Sequence, residues 1–189
     1  MKKILLGSLI LSLGLNSFAE DFSLEKVKEL ASNVTKEFES TLKKELKDAK
    51  KSNDTAGMTD YCINDSKKVI EKLNEKYGSK VSIKRISLNN RNEKAKADEK
   101  EKKILEAFDL IQKSDAYQPD NIIQIVDDNT YKVYSPIVMN SRDCKICHGL
   151  ENKVDKESKK RFSDVYKNVN GYGYKSGDVR GAVVVTISK

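Results

Sequence analysis

The chain of 189 residues contains one histidine, three cysteines, two prolines and no tryptophan. A single histidine excludes any centre built on two imidazoles, and any catalysis that sets a second imidazole opposite a ligating one as acid and base. Three cysteines cannot all pair, so a complete disulfide framework is excluded as well. The apolar run at 4–15 is shorter than the roughly 20 residues that a membrane helix needs. Internal repeats are absent. The lysines alternate with glutamate and aspartate along helical stretches instead of clustering with aromatics, which describes a solvated surface and excludes a nucleic-acid groove.

What is present begins with an export signal. Lys2 and Lys3 precede the apolar run, and Ser17-Phe18-Ala19 supplies small residues where a signal peptidase cuts, so residues 1–19 read as a cleaved signal. No cysteine lies near the cut to carry a lipid. The expected product is a soluble periplasmic protein with no membrane span after cleavage. Residues 20–189 are enough for one domain with a real core. Loss of Lys2 and Lys3 leaves 34 basic against 29 acidic residues, a charge of +5.

Periodicity lays out the elements. Leu24, Val27, Leu30, Val34, Phe38, Leu42 and Leu46 recur at three and four residues, predicting an amphipathic helix over 21–50, about 40 Å long. A polar break at 51–55 precedes a second helix over 56–77, stopped by Gly78. Cys62 lies inside that helix on the apolar face shared with Met58, Val69 and Leu73. Alternation predicts a strand over 81–87, followed by a polar loop and a helix over 98–113. Two strands at 122–126 and 131–137 form a hairpin with a four-residue turn, and the second leads straight into a loop expected at 144–148. A weaker helix at 155–168, a glycine- and tyrosine-rich loop at 171–177 and a strand at 179–187 complete the chain. Four strands without regular βαβ alternation predict an α+β fold, an antiparallel sheet with long N-terminal helices.

The chemistry concentrates in Cys144-Lys145-Ile146-Cys147-His148. Two thiols three apart can add to the two vinyl groups of one haem, and the adjacent histidine then becomes the fifth ligand of its iron. Two other readings use the same residues. A Cys3His zinc site from Cys62, Cys144, Cys147 and His148 has suitable donors, but neighbouring ligands at 147 and 148 rarely both reach one tetrahedral ion. A thioredoxin-like redox dithiol wants a strand and then Cys-x-x-Cys opening a helix within a βαβ context, which the polar 140–143 entry does not supply. With the two motif thiols committed to thioethers, Cys62 has no disulfide partner. It is either a buried small hydrophobe or an iron ligand. Among soft donors, Met58, Met139 and Cys62 all remain candidates for the second axial position.

Five stretches together resemble a known family: Cys62 in an early helix; Arg85-Ile86-Ser87-Leu88 with Arg91-Asn92; Tyr134-Ser135-Pro136-Ile137; Cys144 to Gly149; and Gly173-Tyr174 with Gly177-Asp178-Val179-Arg180-Gly181-Ala182. In order and spacing they are similar to the single-haem c-type family catalogued as a domain of unknown function, whose members have a PAS-like fold. The chain departs from that pattern at Glu93, where a proline usually follows the Arg-Asn pair, and at Ser66-Lys67, where Ala-Pro usually follows the cysteine. The resemblance implies one covalently attached haem c, held by Cys144 and Cys147, with His148 and Cys62 as its axial ligands. Arg85, Arg91 and Arg180 are candidates to pair with its propionates, and the Tyr172 and Tyr174 loop either covers a haem edge or packs on the sheet.

Three functions compete on these grounds. A redox or gas sensor with His/Cys ligation takes a small gas ligand and passes its signal to a redox or signalling protein. A small electron carrier keeps His/Met ligation throughout. A haem enzyme wants a distal acid-base group that the chain does not have, so no enzymatic activity is expected. Each of the three requires haem-attachment machinery as an early partner.

Overall fold

A computed structural model describes residues 23–114, 117, 119–167 and 170–189. The export signal expected at 1–19, the first residues of the helix expected from Asp21, and Asn168 at the end of another expected helix lie outside them.

Helix α1, Leu24–Asn64, opens at Ser23, whose hydroxyl accepts from the Lys26 N–H at 3.3 Å. Val27, Ala31, Val34 and Phe38 then bury one stripe. The helix is not continuous. Asn53 and Asp54 leave helical geometry, and the chain doubles back there: the Tyr61 hydroxyl donates to Glu45 at 2.8 Å, and Gly57 backs onto the carbonyl of Ala49. Segment 55–64 therefore returns antiparallel to 24–52, with the reversal inside the polar break that the sequence predicts.

A second break was not legible. The sequence reads 56–77 as one helix, whereas α1 ends at Asn64 and α2, Ser66–Tyr77, begins after Asp65. Asn64, Asp65 and Ser66 carry short polar side chains that compete with the helical backbone, and the Ser66 hydroxyl donates to the Cys62 carbonyl at 2.9 Å. Cys62 thus stands in the last turn of its arm, not in mid-helix. Gly78 caps α2 as expected. Glu37 latches the two helices together, accepting from Lys76 at 2.6 Å and from the Tyr77 hydroxyl at 2.8 Å.

The strands are β1, Val81–Ile86; β2, Ile122–Asp127; β3, Thr130–Val138; and β4, Val179–Ser188. They form one antiparallel sheet in the order β1-β4-β3-β2, so the α+β reading holds. The β2–β3 turn is two residues shorter than predicted because pairing extends to Asp127 and Thr130. Val183, Val184 and Val185 are fully buried, as a strand covered on both faces requires. Val183, Val185 and Ile187 pack with Val81, Ile83 and Val133 beneath α1 and α2. Ala182 and Val184 pack with Ile86 and Tyr134 beneath α3, Glu99–Lys113.

Glu101 joins α3 to the sheet. Its carboxylate is fully buried, lies 2.6 Å from the Lys84 ammonium, and closes a capping box by accepting from the Asp98 N–H at 3.1 Å. After β3 the chain forms α4, Arg142–His148, and α5, Lys156–Val165, on the side of the sheet that the returning arm of α1 occupies.

Candidate functional site

The Cys-x-x-Cys-His stretch is helical, where the sequence reading had a loop. Ser141 caps α4 by accepting from the Asp143 N–H at 3.2 Å, and Lys50 near the tip of α1 reaches Asp143 at 2.7 Å. Residues three and four apart share a helix face, so Cys144, Cys147 and His148 project together.

Cys147 is buried against the returning arm of α1. Its sulfur lies 3.9 Å from the Thr59 hydroxyl, which sits 2.7 Å from the Ser158 hydroxyl on α5. Three residues further along that arm stands Cys62. Burial pushes its thiol up to about 12, Cys147 adds to the rise, and Arg85 and Arg91 oppose it. Cys62 therefore lies within electrostatic reach of the motif and of two arginines. Met58, one turn before Cys62, and Met139, two residues before Ser141, are both buried.

His148 is held at one nitrogen. Its Nδ1 lies 2.8 Å from the Gly171 carbonyl oxygen, and since a carbonyl only accepts, Nδ1 carries the proton. Burial, with repulsion from Arg180, Arg91 and Arg85, keeps the imidazole far below its ordinary value. The ring is thus neutral at pH 7, with the Nε2 lone pair available. Gly171 has φ 88°, a backbone that favours glycine, and a Cβ there would come within 3.2 Å of an Arg180 nitrogen. The same loop is strapped to the end of α4: Gly173 N–H donates to the Gly149 carbonyl at 2.8 Å and Tyr174 N–H to the His148 carbonyl at 3.1 Å. The tyrosines of the loop stack on arginines, Tyr172 on Arg91 at 4.8 Å and Tyr174 on Arg180 at 5.1 Å.

Three guanidinium groups surround this cluster. Burial lowers the pKa of Arg85, Arg91 and Arg180, and the other two lower Arg180 further. Among the described residues no carboxylate forms an ion pair with any of them, whereas Arg161 pairs with Asp60 at 2.6 Å. Arg91 commits two of its five N–H donors to backbone carbonyls, Nε to Asn170 and Nη2 to Cys147. Arg180 bonds Ser87 through one terminal nitrogen, but its buried Nε meets no acceptor. Arg85 has one long hydrogen bond, 3.5 Å to the Ser66 hydroxyl, and lies 5.7 Å from the centre of the Phe38 ring. Buried positive charge without a counter-ion is costly, so Arg85 and Arg180 fit a bound anion.

No group of three or more His, Cys, Asp or Glu side chains among the described residues is arranged to hold a metal ion, so the zinc alternative lacks an assembled donor set. No described helix is long and apolar enough to cross a membrane. Thr59, Ser158 and the carbonyls of Asn170 and Gly171 escaped sequence reasoning, because backbone acceptors and hydroxyls carry no motif.

The fold is shared with a solved structure, that of the cyanobacterial heme-protein Tll0287: the match has a TM-score of 0.60 at 16% identity, covering 88% of this chain and 97% of that one. No curated protein matches. The family model described as Tll0287-like matches residues 19–188, and the chain belongs to that family.

Proposed function

We propose that this chain is an exported monohaem c-type cytochrome that works in the periplasm as a redox or gas sensor. The observation that carries the proposal is the Nδ1 hydrogen bond of His148 to Gly171, which leaves Nε2 as the donor nitrogen of a side chain on the helix face that presents Cys144 and Cys147. Thioethers at Cys144 and Cys147 hold the haem, His148 and Cys62 ligate its iron, and Arg85 and Arg180 supply the missing partners for two propionates. A solved structure with this fold, described as a heme-protein, supports this reading.

A haem there supplies an iron that changes oxidation state and takes small diatomic ligands. Cys62 is the switching residue. Beside ferric iron its thiolate would be favoured, and beside ferrous iron, whose positive charge is smaller, the sulfur would more readily hold a proton. The arm at 55–64 is then the two-state element, tied to α5 through Thr59 and Ser158 and through Asp60 and Arg161. A redox or signalling partner reads its movement.

A small electron carrier with Met139 or Met58 as second ligand is the competing reading, because both methionines are buried near the site. Carbon monoxide added to the dithionite-reduced protein separates the two. The sensor binds it readily, and Cys62→Ala binds it without waiting for a ligand to leave. A wild-type protein that refuses carbon monoxide and cycles at a high, fully reversible potential is a carrier.

A further inference from the structure

We propose that Arg91 is a positioning residue for His148, holding the imidazole's orientation and the strength of its Nδ1 hydrogen bond. The proposal rests on the reading of His148 as an iron ligand.

Arg91 is 7% exposed, and its charge has no carboxylate partner among the described residues. Such burial is tolerated only if the donors are used. Arg91 uses them on two backbone carbonyls: Nε donates to Asn170 at 3.1 Å and Nη2 to Cys147 at 3.0 Å. Two aromatic contacts clamp the guanidinium, its central carbon lying 3.5 Å from the centre of the Phe162 ring and 4.8 Å from that of Tyr172.

The identity of those two carbonyls matters. Cys147 immediately precedes His148, and its carbonyl is one of those that the end of a helix leaves without an intrahelical partner. Asn170 immediately precedes Gly171, whose carbonyl receives the His148 Nδ1 proton. One rigid planar cation therefore bridges the backbone on both sides of that hydrogen bond and fixes the distance across it. The ring's rotation and the ligand's basicity follow from that bond. A lysine can supply the charge but not the planar fork, since its ammonium is a mobile point donor on a flexible stem.

The chain's only histidine makes the test unambiguous, because a 15N-histidine label gives a single ring. The purified protein is compared with Arg91→Lys and Arg91→Gln by the g values of the ferric protein, by exchange of the Nδ1 proton, and by mass for haem attachment. The expected result is unchanged attachment, a shifted and broadened largest g value in both variants, and Nδ1 proton exchange about tenfold faster, the equivalent of roughly one hydrogen bond. Wild-type g values and exchange in both variants, whatever their melting temperature, would reduce Arg91 to packing. A change in Arg91→Gln alone would make the effect one of charge and would equally overturn the proposal. If the Arg91 variants do not fold, Tyr172→Leu loosens the clamp without touching the charge. It should move both readouts the same way by less, and unchanged readouts there count against the proposal. A wild-type chain without covalent haem would refute the reading of the site, while Nδ1 exchange would still decide whether Arg91 sets the His148 bond.

Discussion

At the scale of single residues, the two motif cysteines are not equivalent. Cys147 is buried beside Thr59, and burial is the main force raising its thiol, whereas Cys144 is only partly buried. Each proposed thioether is an independent covalent bond, so Cys147→Ser should leave at most one. Mass spectrometry after acid-acetone extraction checks this: wild type should retain its haem through extraction, and the variant should retain it by Cys144 alone. Complete loss from wild type would contradict covalent attachment. The motif itself was legible in the sequence because five consecutive residues carry it. Arg91 was legible only as a cation. What it does depends on two carbonyls 56 and 79 residues away, and a carbonyl is identical at every position of a chain.

Among the elements, the helices and strands were legible wherever apolar spacing is regular, as along Val27 to Phe38 and Val81 to Ile86. They were misread where a short polar run decides. Asn64-Asp65-Ser66 ends a helix that periodicity alone would carry through, and Ser141 starts one where a loop was expected. Glu101 is the clearest failure of pattern: it lies in a Lys/Glu-rich stretch that reads as solvated, yet its carboxylate is buried against Lys84. Lys84 is 44% exposed, so what is lost is a capping box and a half-buried ion pair, and Glu101→Ala should cost about 2 kcal/mol in chemical denaturation. A loss under about 1 kcal/mol would show the pair to be no better than a surface contact. The latch between α1 and α2 behaves differently because it is half exposed. Hydrogen bonds from Lys76 and Tyr77 lower the Glu37 carboxylate below its ordinary 4.5. A depressed carboxylate stabilises the fold above its unfolded value, and that contribution disappears as pH falls through the folded value. Glu37→Gln should therefore cost roughly 0.5 kcal/mol at pH 7 and nothing at pH 3. A cost that grows on acidification would reverse the assigned sign.

For the whole molecule, the sheet serves as a rigid floor, and the site is assembled on it from four separated parts: the returning arm of α1, the segment after β1, α4, and the loop before β4. The hinge at Asn53 and Asp54 sets where that arm lies. Gly57 fits against Ala49 only because it has no Cβ, so Gly57→Ala should displace the arm and with it Cys62. Overpacking of this kind costs about 1–3 kcal/mol. Its signature should be a perturbed iron spectrum together with a lower melting temperature, and an unchanged spectrum would show that the arm does not set the ligand. The central claim, that His148 and Cys62 hold one haem between them, is tested most directly by the joint absorption and electron paramagnetic resonance spectrum of the purified ferric protein. The account predicts a low-spin thiolate and imidazole signature that disappears in Cys62→Ser and persists in Met139→Leu. A weak near-infrared sulfur-to-iron band in wild type, lost in Met139→Leu and retained in Cys62→Ser, would contradict it.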